Sequence, residues 1–350
     1  MALTGLSAHA AGYDDKAMQV KEIRLSNGLT VWINEDHSLP KVFGAVVVKA
    51  GAADCPNTGI AHYFEHMMFK GTDKIGTVDY EKERPWLDSI SAKYDLLAQT
   101  ADETTRRQIQ ADINRLGAKA AEYAIPNEFS NLVSRYGGSG LNAATSLDYT
   151  VYYNTFLPQY VDQWASLNSE RLVSPVFRLF QSELETVYEE KNMYSDNVLM
   201  NAYERVMENF FGGTPYAYPI IGSTESLKNP RLSEMQGFYD RYYVAGNMAL
   251  ILAGDVCADS IMPLLERTFG RIRAGEAPAR SEFTPVSQPE VRLRIPYPIV
   301  KGELMAFRTP PHGHADEAAL DIAVRLLTNN FGSGKLDSIS NNGGALMATA

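Results

Sequence analysis

Two histidines and a glutamate lie close together near the start of the chain, in a segment rich in apolar residues. His62, Glu65 and His66 form the pattern H-x-x-E-H within residues 58–72. Residues four apart in a helix project from one face, one turn above the other. Two imidazoles at that spacing can hold one Zn²⁺ from the same side. Glu65 points at the same region, where a carboxylate can accept a proton from a water molecule beside the metal.

The segment also carries the local signals of a helix. Thr58 can cap the N-terminus, apolar residues recur at helical spacing, and Gly71 is a natural stop. The motif is the inverse of the H-E-x-x-H motif of zinc peptidases. The alternative is that both histidines are ordinary polar groups on a surface helix. Two histidines and a glutamate at these offsets favour the metal site.

A catalytic zinc commonly has three protein ligands and one water, so a third ligand must come from elsewhere. The other histidines lie in a leader, a turn or a proline–glycine loop and are poor candidates. They are His9, His37, His312 and His314. A predicted acidic helix over residues 180–194 is a better source, because its carboxylates would compensate the metal charge. It carries Glu183 and Glu190 on one face, and Glu185 and Glu189 as a separate pair.

Predicted strands precede this motif, and both helices and strands follow it. Residues 22–35 predict a β-hairpin around an Asn-Gly turn, and an apolar strand then leads into the histidine helix. Residues 79–123 are charged and carry two apolar stripes at helical spacing, which predicts a helical hairpin. The strand before the histidine helix is residues 42–48, and further strands are predicted at residues 141–146, 149–153 and 247–253.

Length and composition limit the classes of protein. At 350 residues the chain exceeds one typical domain, so two domains are expected. The net charge of −10 and the pI of about 5.2 argue against a nucleic-acid partner. No apolar run in the sequence approaches the ~18–20 residues that a transmembrane helix needs.

Composition shifts along the chain predict its domain organisation. Residues 1–19 read as a leader in which Ala8-His9-Ala10 resembles a signal-peptide cleavage site. This predicts a periplasmic or otherwise extracytoplasmic location, with the cytoplasm as the alternative. Residues 20–273 are predicted to form the catalytic domain, and 274–289 a linker with three prolines. Residues 290–350 are predicted to be the start of a second, truncated domain.

Three stretches match the motifs of one known family. They are His62-Tyr-Phe-Glu65-His66-Met-Met-Phe-Lys-Gly-Thr, Gly140-Leu-Asn-Ala-Ala-Thr-Ser, and Glu183 to Asn192. They resemble the zinc helix, the edge strand and the third-ligand helix of the M16 (pitrilysin/insulinase) metallopeptidases, and the similarity extends over residues 20–330. With the predicted elements, the resemblance implies an α+β fold like that of mitochondrial processing peptidase. In that fold a mostly antiparallel sheet carries helices on one face, with one complete domain and part of a second.

The resemblance also implies the roles of the candidate site residues. His62, His66 and Glu190 are implied to bind one Zn²⁺ per chain. Glu65 is implied to be the general base, and Glu183 a carboxylate that orients the site. The implied activity is that of a zinc-dependent endopeptidase.

The implied substrates are peptides or small unfolded polypeptides. In the family, the positions of Asn142 and Ala143 lie on a sheet edge to which an extended peptide adds as a strand. If Glu190 is not the third zinc ligand, Glu189 is the alternative. A second M16-like half or subunit is expected to close the chamber around the substrate, and no membrane span is expected.

Besides the truncated second domain, the sequence departs from the family pattern in the spacing of two implied zinc ligands. The separation of His66 and Glu190 is longer than usual, and the helical hairpin at 79–123 accounts for the excess, so it is predicted to be an insertion on the rim. One alternative function is a non-catalytic scaffold or peptide-binding subunit, which is expected to lack part of the ligand set. Another is a structural zinc site, which would need a fourth protein ligand, and none stands out.

Overall fold

The computed structural model describes residues 19–281, 283, 307–329 and 331–344. The chain divides into two compact units, Met1–Ile295 and Pro296–Ala350. The predicted leader up to residue 18 lies outside the described residues, as does most of the segment predicted to open the second domain. The leader, linker and truncated second domain therefore stay predictions.

The first unit is built on a six-stranded sheet. The strands are β1 (Val20–Arg24), β2 (Thr30–Glu35), β3 (Val42–Val48), β4 (Ser139–Thr145), β5 (Thr150–Phe156) and β6 (Met248–Gly254). Their order across the sheet is β1-β2-β6-β3-β5-β4. Every neighbouring pair is antiparallel except β2 and β6, which are parallel. The prediction of a mostly antiparallel sheet is confirmed.

Helices occupy most of the remaining described chain. The first unit contains α1 (Ile60–Met67), α2 (Tyr80–Gln99), α3 (Glu103–Ala121), α4 (Glu128–Arg135), α5 (Val161–Val173), α6 (Phe180–Asp196), α7 (Val198–Phe210), α8 (Thr224–Lys228), α9 (Leu232–Tyr242) and α10 (Ala258–Thr268). The second unit contains α11 (Glu317–Leu327) and α12 (Asp337–Asn341). Among the helices in the described ranges, none combines the length and apolar character needed to cross a membrane. The predicted α+β class is confirmed.

Helix α5 covers the middle of the sheet through one large side chain. The ring of Trp164 lies over β3 at Gly44, where a Cβ atom would stand only 2.2 Å from the indole. The same ring stacks on Phe156 at 4.8 Å between centroids, and its Nε1 donates to Asn154 at 2.9 Å. A glycine in β3 therefore allows a close helix–sheet contact that any side chain would prevent.

Helices α2 and α3 form the predicted helical hairpin. Asp79 caps α2 by accepting from the Lys82 amide at 3.2 Å, and Asp102 caps α3 by accepting from the Thr105 amide at 2.7 Å. Each helix buries one apolar stripe and leaves its other faces to solvent. The buried apolar residues are Ile90, Tyr94 and Leu97 in α2, and Ile109, Ile113, Leu116 and Ala120 in α3. That the α2–α3 hairpin is an insertion relative to the family stays a prediction.

A buried ion pair attaches this hairpin to the rest of the unit. Glu83 of α2 is fully buried, and its carboxylate accepts from Arg178 Nε at 3.0 Å and from Nη2 at 3.1 Å. The guanidinium also donates to the carbonyl oxygens of Lys70, Thr72 and Ile75 at 2.9, 2.7 and 2.9 Å. Arg178, two residues before α6, therefore joins this segment to α2 and to the loop that follows α1.

We expect Glu83→Gln to lower the free energy of unfolding by about 3–5 kcal/mol, because it leaves the buried Arg178 charge uncompensated. Urea-induced unfolding followed by circular dichroism measures this. Glu208→Gln is the matched control, since Glu208 pairs with Arg205 at an exposed position and its loss should cost under about 1 kcal/mol. Equal destabilisation by both substitutions would contradict the role given to the buried pair.

Candidate metal centre

Helix α1 begins at a glycine that the local packing requires. Gly59 has φ of 72°, in the left-handed region, and a Cβ atom there would lie 2.3 Å from the carbonyl oxygen of Ile221. The prediction that Thr58 is the N-cap is wrong by one residue, since Gly59 holds that position. Thr58 still contributes, because its hydroxyl accepts from the Ile60 amide at 3.2 Å.

The apolar face of α1 packs into the core and so turns its polar face outward. Phe64 is fully buried and contacts the rings of Tyr243 and Phe177 at 4.7 and 5.7 Å between centroids. The hydroxyl of Tyr63 donates to the carbonyl oxygen of Phe180 at 2.6 Å, which ties α1 to the first turn of α6. His62 and His66 are left on the face that looks toward the acidic side of α6.

Three side chains from these two helices converge on one point. His62 Nε2 and His66 Nε2 lie 3.7 and 3.6 Å from Glu190 Oε2. Their ligand atoms all lie within 4.8 Å of one another. Tetrahedral coordination at 2.0–2.1 Å per bond separates neighbouring ligand atoms by about 3.4 Å, so the arrangement fits a zinc ion. Within the described ranges, no other group of histidine, cysteine or carboxylate side chains has this geometry.

The structure separates Glu190 from the fallback ligand. Glu189 and Glu185 line a groove on another side of α6, with Leu97 of α2 and Leu227 of α8. The predicted pairing of Glu183 with Glu190 on one face is what brings both toward α1. Among the remaining histidines, His37 contacts Asp255, and His312 contacts Glu317, both at exposed positions. His314 contacts Asp316, and His9 lies outside the described residues.

Carboxylate and phenol groups orient the converging side chains. Glu183 Oε1 accepts from His66 Nδ1 at 2.8 Å, which leaves His66 Nε2 free to face Glu190. The other oxygen of Glu183 forms an ion pair with Lys70 Nζ. Glu190 Oε1 accepts from the hydroxyl of Tyr194 at 3.0 Å, so its second oxygen, Oε2, is the one directed at the histidines. Such partners commonly fix the geometry of metal ligands.

The two histidines differ in their electrostatic surroundings. Burial, with His66 nearby, lowers the pKa of His62 to about 4, so this imidazole is neutral at physiological pH. Burial also opposes protonation of His66, but its hydrogen bond to Glu183 raises the pKa above the usual value. Although burial disfavours its charged form, Glu183 has a lowered pKa because His66 and Lys70 donate to it. Metal binding to this site therefore competes with a proton at His66.

Glu65 lies beside the converging ligands and is held by the edge strand. Its side chain is buried, and its Oε2 accepts from the hydroxyl of Thr145, the last residue of β4, at 2.9 Å. Burial raises the pKa of Glu65, and the Thr145 hydrogen bond offsets part of that effect. A carboxylate with a raised pKa is a better proton acceptor than an exposed one.

A buried cation lies beneath this acidic region. The guanidinium of Arg171 is fully buried between the rings of Phe69, Phe129 and Tyr152, at 5.5, 4.9 and 4.7 Å from their centroids. Burial lowers the pKa of Arg171 to about 10, which still leaves it charged. Its nitrogen atoms have no hydrogen-bond partner within the described chain, so the aromatic faces supply its stabilising contacts.

The predicted substrate residues lie on the outer strand of the sheet. Asn142 and Ala143 of β4 pair with Tyr153 and Tyr152 of β5, and β4 is the last strand in the sheet order. Asn142 Oδ1 accepts from the Ala143 amide at 2.9 Å, so a side chain satisfies this edge donor. Strand β4 also packs against α1 and ends at the residue that holds Glu65.

The sequence did not predict that Thr145, Lys70 and Tyr194 contact the candidate site residues. Thr145 and Lys70 stand inside motifs that the sequence singles out, yet nothing local indicates that they contact Glu65 and Glu183. Tyr194 lies four residues after Glu190, a spacing that permits contact along one helix. This spacing is the sequence feature from which the contact of Tyr194 with Glu190 could have been predicted.

Two family models match the chain. The model described as Insulinase (Peptidase family M16) matches residues 30–112 and 113–224, which include all the converging side chains. The model described as Peptidase M16 inactive domain matches residues 231–346. Together they extend from the second strand of the sheet into the second compact unit.

Curated relatives carry peptidase names. The chain is 26% identical over 276 residues to the beta subunit of mitochondrial-processing peptidase of Caenorhabditis elegans, covering 77% of this chain and 49% of that protein. It is 25% identical over 334 residues to the zinc protease PqqE of Helicobacter pylori, covering 92% of this chain and 63% of that one. The chain spans about half the length of the curated relatives it matches.

Solved structures agree on the fold. The peptidase M16 inactive domain from Pseudomonas fluorescens superposes with a TM-score of 0.66 at 16% identity, covering 93% of this chain and 68% of that one. At 16% identity this structural similarity establishes the fold alone. The matched sequence models, the named relatives and the shared fold agree, and the chain belongs to the M16 family of peptidases.

Proposed function

We propose that this chain is a zinc-dependent endopeptidase that hydrolyses peptides or small unfolded polypeptides. The observation that carries the proposal is the convergence of His62, His66 and Glu190 beside the buried Glu65, in a chain of a peptidase family. Relatives named zinc proteases support the choice of metal. We infer one zinc ion per chain.

His62, His66 and Glu190 would hold the zinc. A bound zinc ion acts as a Lewis acid that lowers the pKa of a coordinated water to about 7 and polarises a substrate carbonyl. Two imidazoles and one carboxylate are a donor set typical of catalytic sites, which keep one position open. A structural site would be closed by a fourth protein ligand, and within the described ranges the group has three members.

Glu65 would act as the general base. Its buried carboxylate has a raised pKa, and the Thr145 hydroxyl fixes one of its oxygens. It would accept the proton of the attacking water and then deliver that proton to the leaving amine. Glu183 would keep the ring of His66 in the orientation that directs Nε2 to the metal.

The substrate would lie along β4 as an added strand. Asn142 and Ala143 are on the outer strand, which ends at the residue that contacts Glu65. A peptide carbonyl pairing there would take over the Ala143 amide, whose hydrogen bond the Asn142 side chain now accepts. Because such pairing uses the backbone, cleavage would depend on an extended conformation more than on side-chain identity.

The second candidate is a non-catalytic, peptide-binding subunit of an M16 assembly. It is favoured by the match of residues 231–346 to a model described as an inactive domain. Several relatives are themselves named subunits. In either case we propose that a second M16-like half or subunit closes the chamber. We also propose that the chain works in the periplasm or another extracytoplasmic compartment, with the cytoplasm as the alternative.

Glu65→Gln should leave the zinc content unchanged and lower kcat/KM by about 10²–10⁴-fold, the usual contribution of a general base. Cleavage of a quenched fluorescent peptide library and elemental analysis measure the two quantities. Glu185→Gln, on another side of α6, is the matched control and should behave as wild type. Turnover retained by metal-loaded Glu65→Gln would remove Glu65 from its role. A zinc-loaded wild type without turnover would instead favour the non-catalytic candidate.

Thr145→Val should lower kcat by about 10- to 100-fold, the loss expected from one hydrogen bond to a charged group. Thr145→Ser keeps the hydroxyl and should retain most of the wild-type rate. The same peptide assay gives kcat and KM separately for both variants. The role of the hydroxyl would be refuted by a serine variant as slow as the valine variant.

A further inference from the structure

Lys70 stands one turn beyond the metal-binding face of α1 and reaches back to it. Its amide donates to the carbonyl oxygen of Met67 at 3.0 Å, which continues the turn after α1. Its Nζ forms an ion pair with one oxygen of Glu183, whose other oxygen accepts from His66 Nδ1 at 2.8 Å. One carboxylate is therefore bridged between a lysine and a candidate metal ligand.

The backbone at Lys70 is fixed independently of its side chain. The buried guanidinium of Arg178 donates to the Lys70 carbonyl oxygen at 2.9 Å and is itself held by the buried Glu83 of α2. The ammonium group thus extends from an anchored loop. A continuous chain of contacts runs from the helical hairpin through Arg178 and Lys70 to Glu183.

The Lys70–Glu183 ion pair is partly shielded from water, so it can constrain the position of the Glu183 carboxylate. The side chains of Lys70 and Glu183 are 21% and 11% exposed. Partial burial reduces screening, so each charge constrains the other more than in an exposed pair. Without Lys70, Glu183 would keep one partner, His66, and would have to adjust its position toward solvent or toward that ring.

We propose that Lys70 is a positioning residue of the metal centre. By holding Glu183, it fixes the ring orientation of His66 and the tautomer with hydrogen on Nδ1, so that Nε2 presents a lone pair toward Glu190 and His62. The inference rests on the proposed zinc-binding function. It adds a residue that touches neither metal nor substrate and acts through Glu183.

The test compares Lys70→Met, which removes the charge and keeps the length, with Lys70→Arg, which restores a cation. The control is Lys74→Met, because Lys74 is 60% exposed and pairs with Glu170 instead. Zinc dissociation constants come from chelator competition. A second readout, the ¹⁵N shifts of the His66 ring in metal-free protein under mildly alkaline conditions, reports the tautomer.

Lys70→Met should raise the zinc dissociation constant by about 10-fold, at the low end of the effect of losing an outer partner of a metal ligand. Lys70→Arg should restore wild-type affinity, and Lys74→Met should leave it unchanged. In metal-free Lys70→Met the His66 ring should lose its single Nδ1–H tautomer. Wild-type affinity and tautomer in Lys70→Met would overturn the inference. Equal weakening in Lys70→Arg would also overturn it, because it would indicate a packing role.

The two proposals can fail separately. If wild type binds no zinc, the proposed function falls, and the ¹⁵N comparison alone decides whether Lys70 positions His66. If Lys70→Met does not fold, Lys70→Leu replaces it, since it also removes both the charge and the donor. The same affinity and tautomer criteria apply to that variant.

Discussion

Three carboxylates share a small, partly buried volume, and the surrounding structure must offset their mutual repulsion. Glu65 and Glu183 are buried and Glu190 is half-buried. Burying like charges together is costly unless cations or donors lie among them. Lys70 and the His66 ring offset the charge of Glu183. The remaining negative charge converges on two imidazole nitrogens, an arrangement that a divalent cation would stabilise strongly.

The fold holds this acidic volume together by joining α1 to three separate elements. The Tyr63 hydroxyl ties α1 to the start of α6, so Glu190 arrives opposite the histidines. The end of β4 reaches Glu65 through Thr145, which couples the edge of the sheet to the same site. The hairpin anchors the loop after α1 through Arg178. A hairpin expected only on the rim is therefore linked to the candidate metal centre by buried contacts.

Much of the site could be predicted from sequence because its geometry is local. The H-x-x-E-H motif needs only the period of one helix. The same period places Glu183 and Glu190 on one face of α6, and the resemblance to the M16 family is what implied their roles over those of the other acidic residues. The contact of Thr145 with Glu65 depends instead on strand register and on how the sheet packs against α1. The buried pair of Glu83 with Arg178 joins residues far apart in the chain, and charge-rich helices do not reveal which single charge is buried.

Zinc content per folded chain, measured by elemental analysis for wild type, Glu190→Gln and Glu189→Gln, decides whether His62, His66 and Glu190 hold a metal. We expect about one zinc in wild type and in Glu189→Gln, and little in Glu190→Gln, because Glu190 alone of the two faces the histidines. A folded, zinc-supplemented wild type without metal would contradict it. So would loss of zinc from Glu189→Gln with retention in Glu190→Gln.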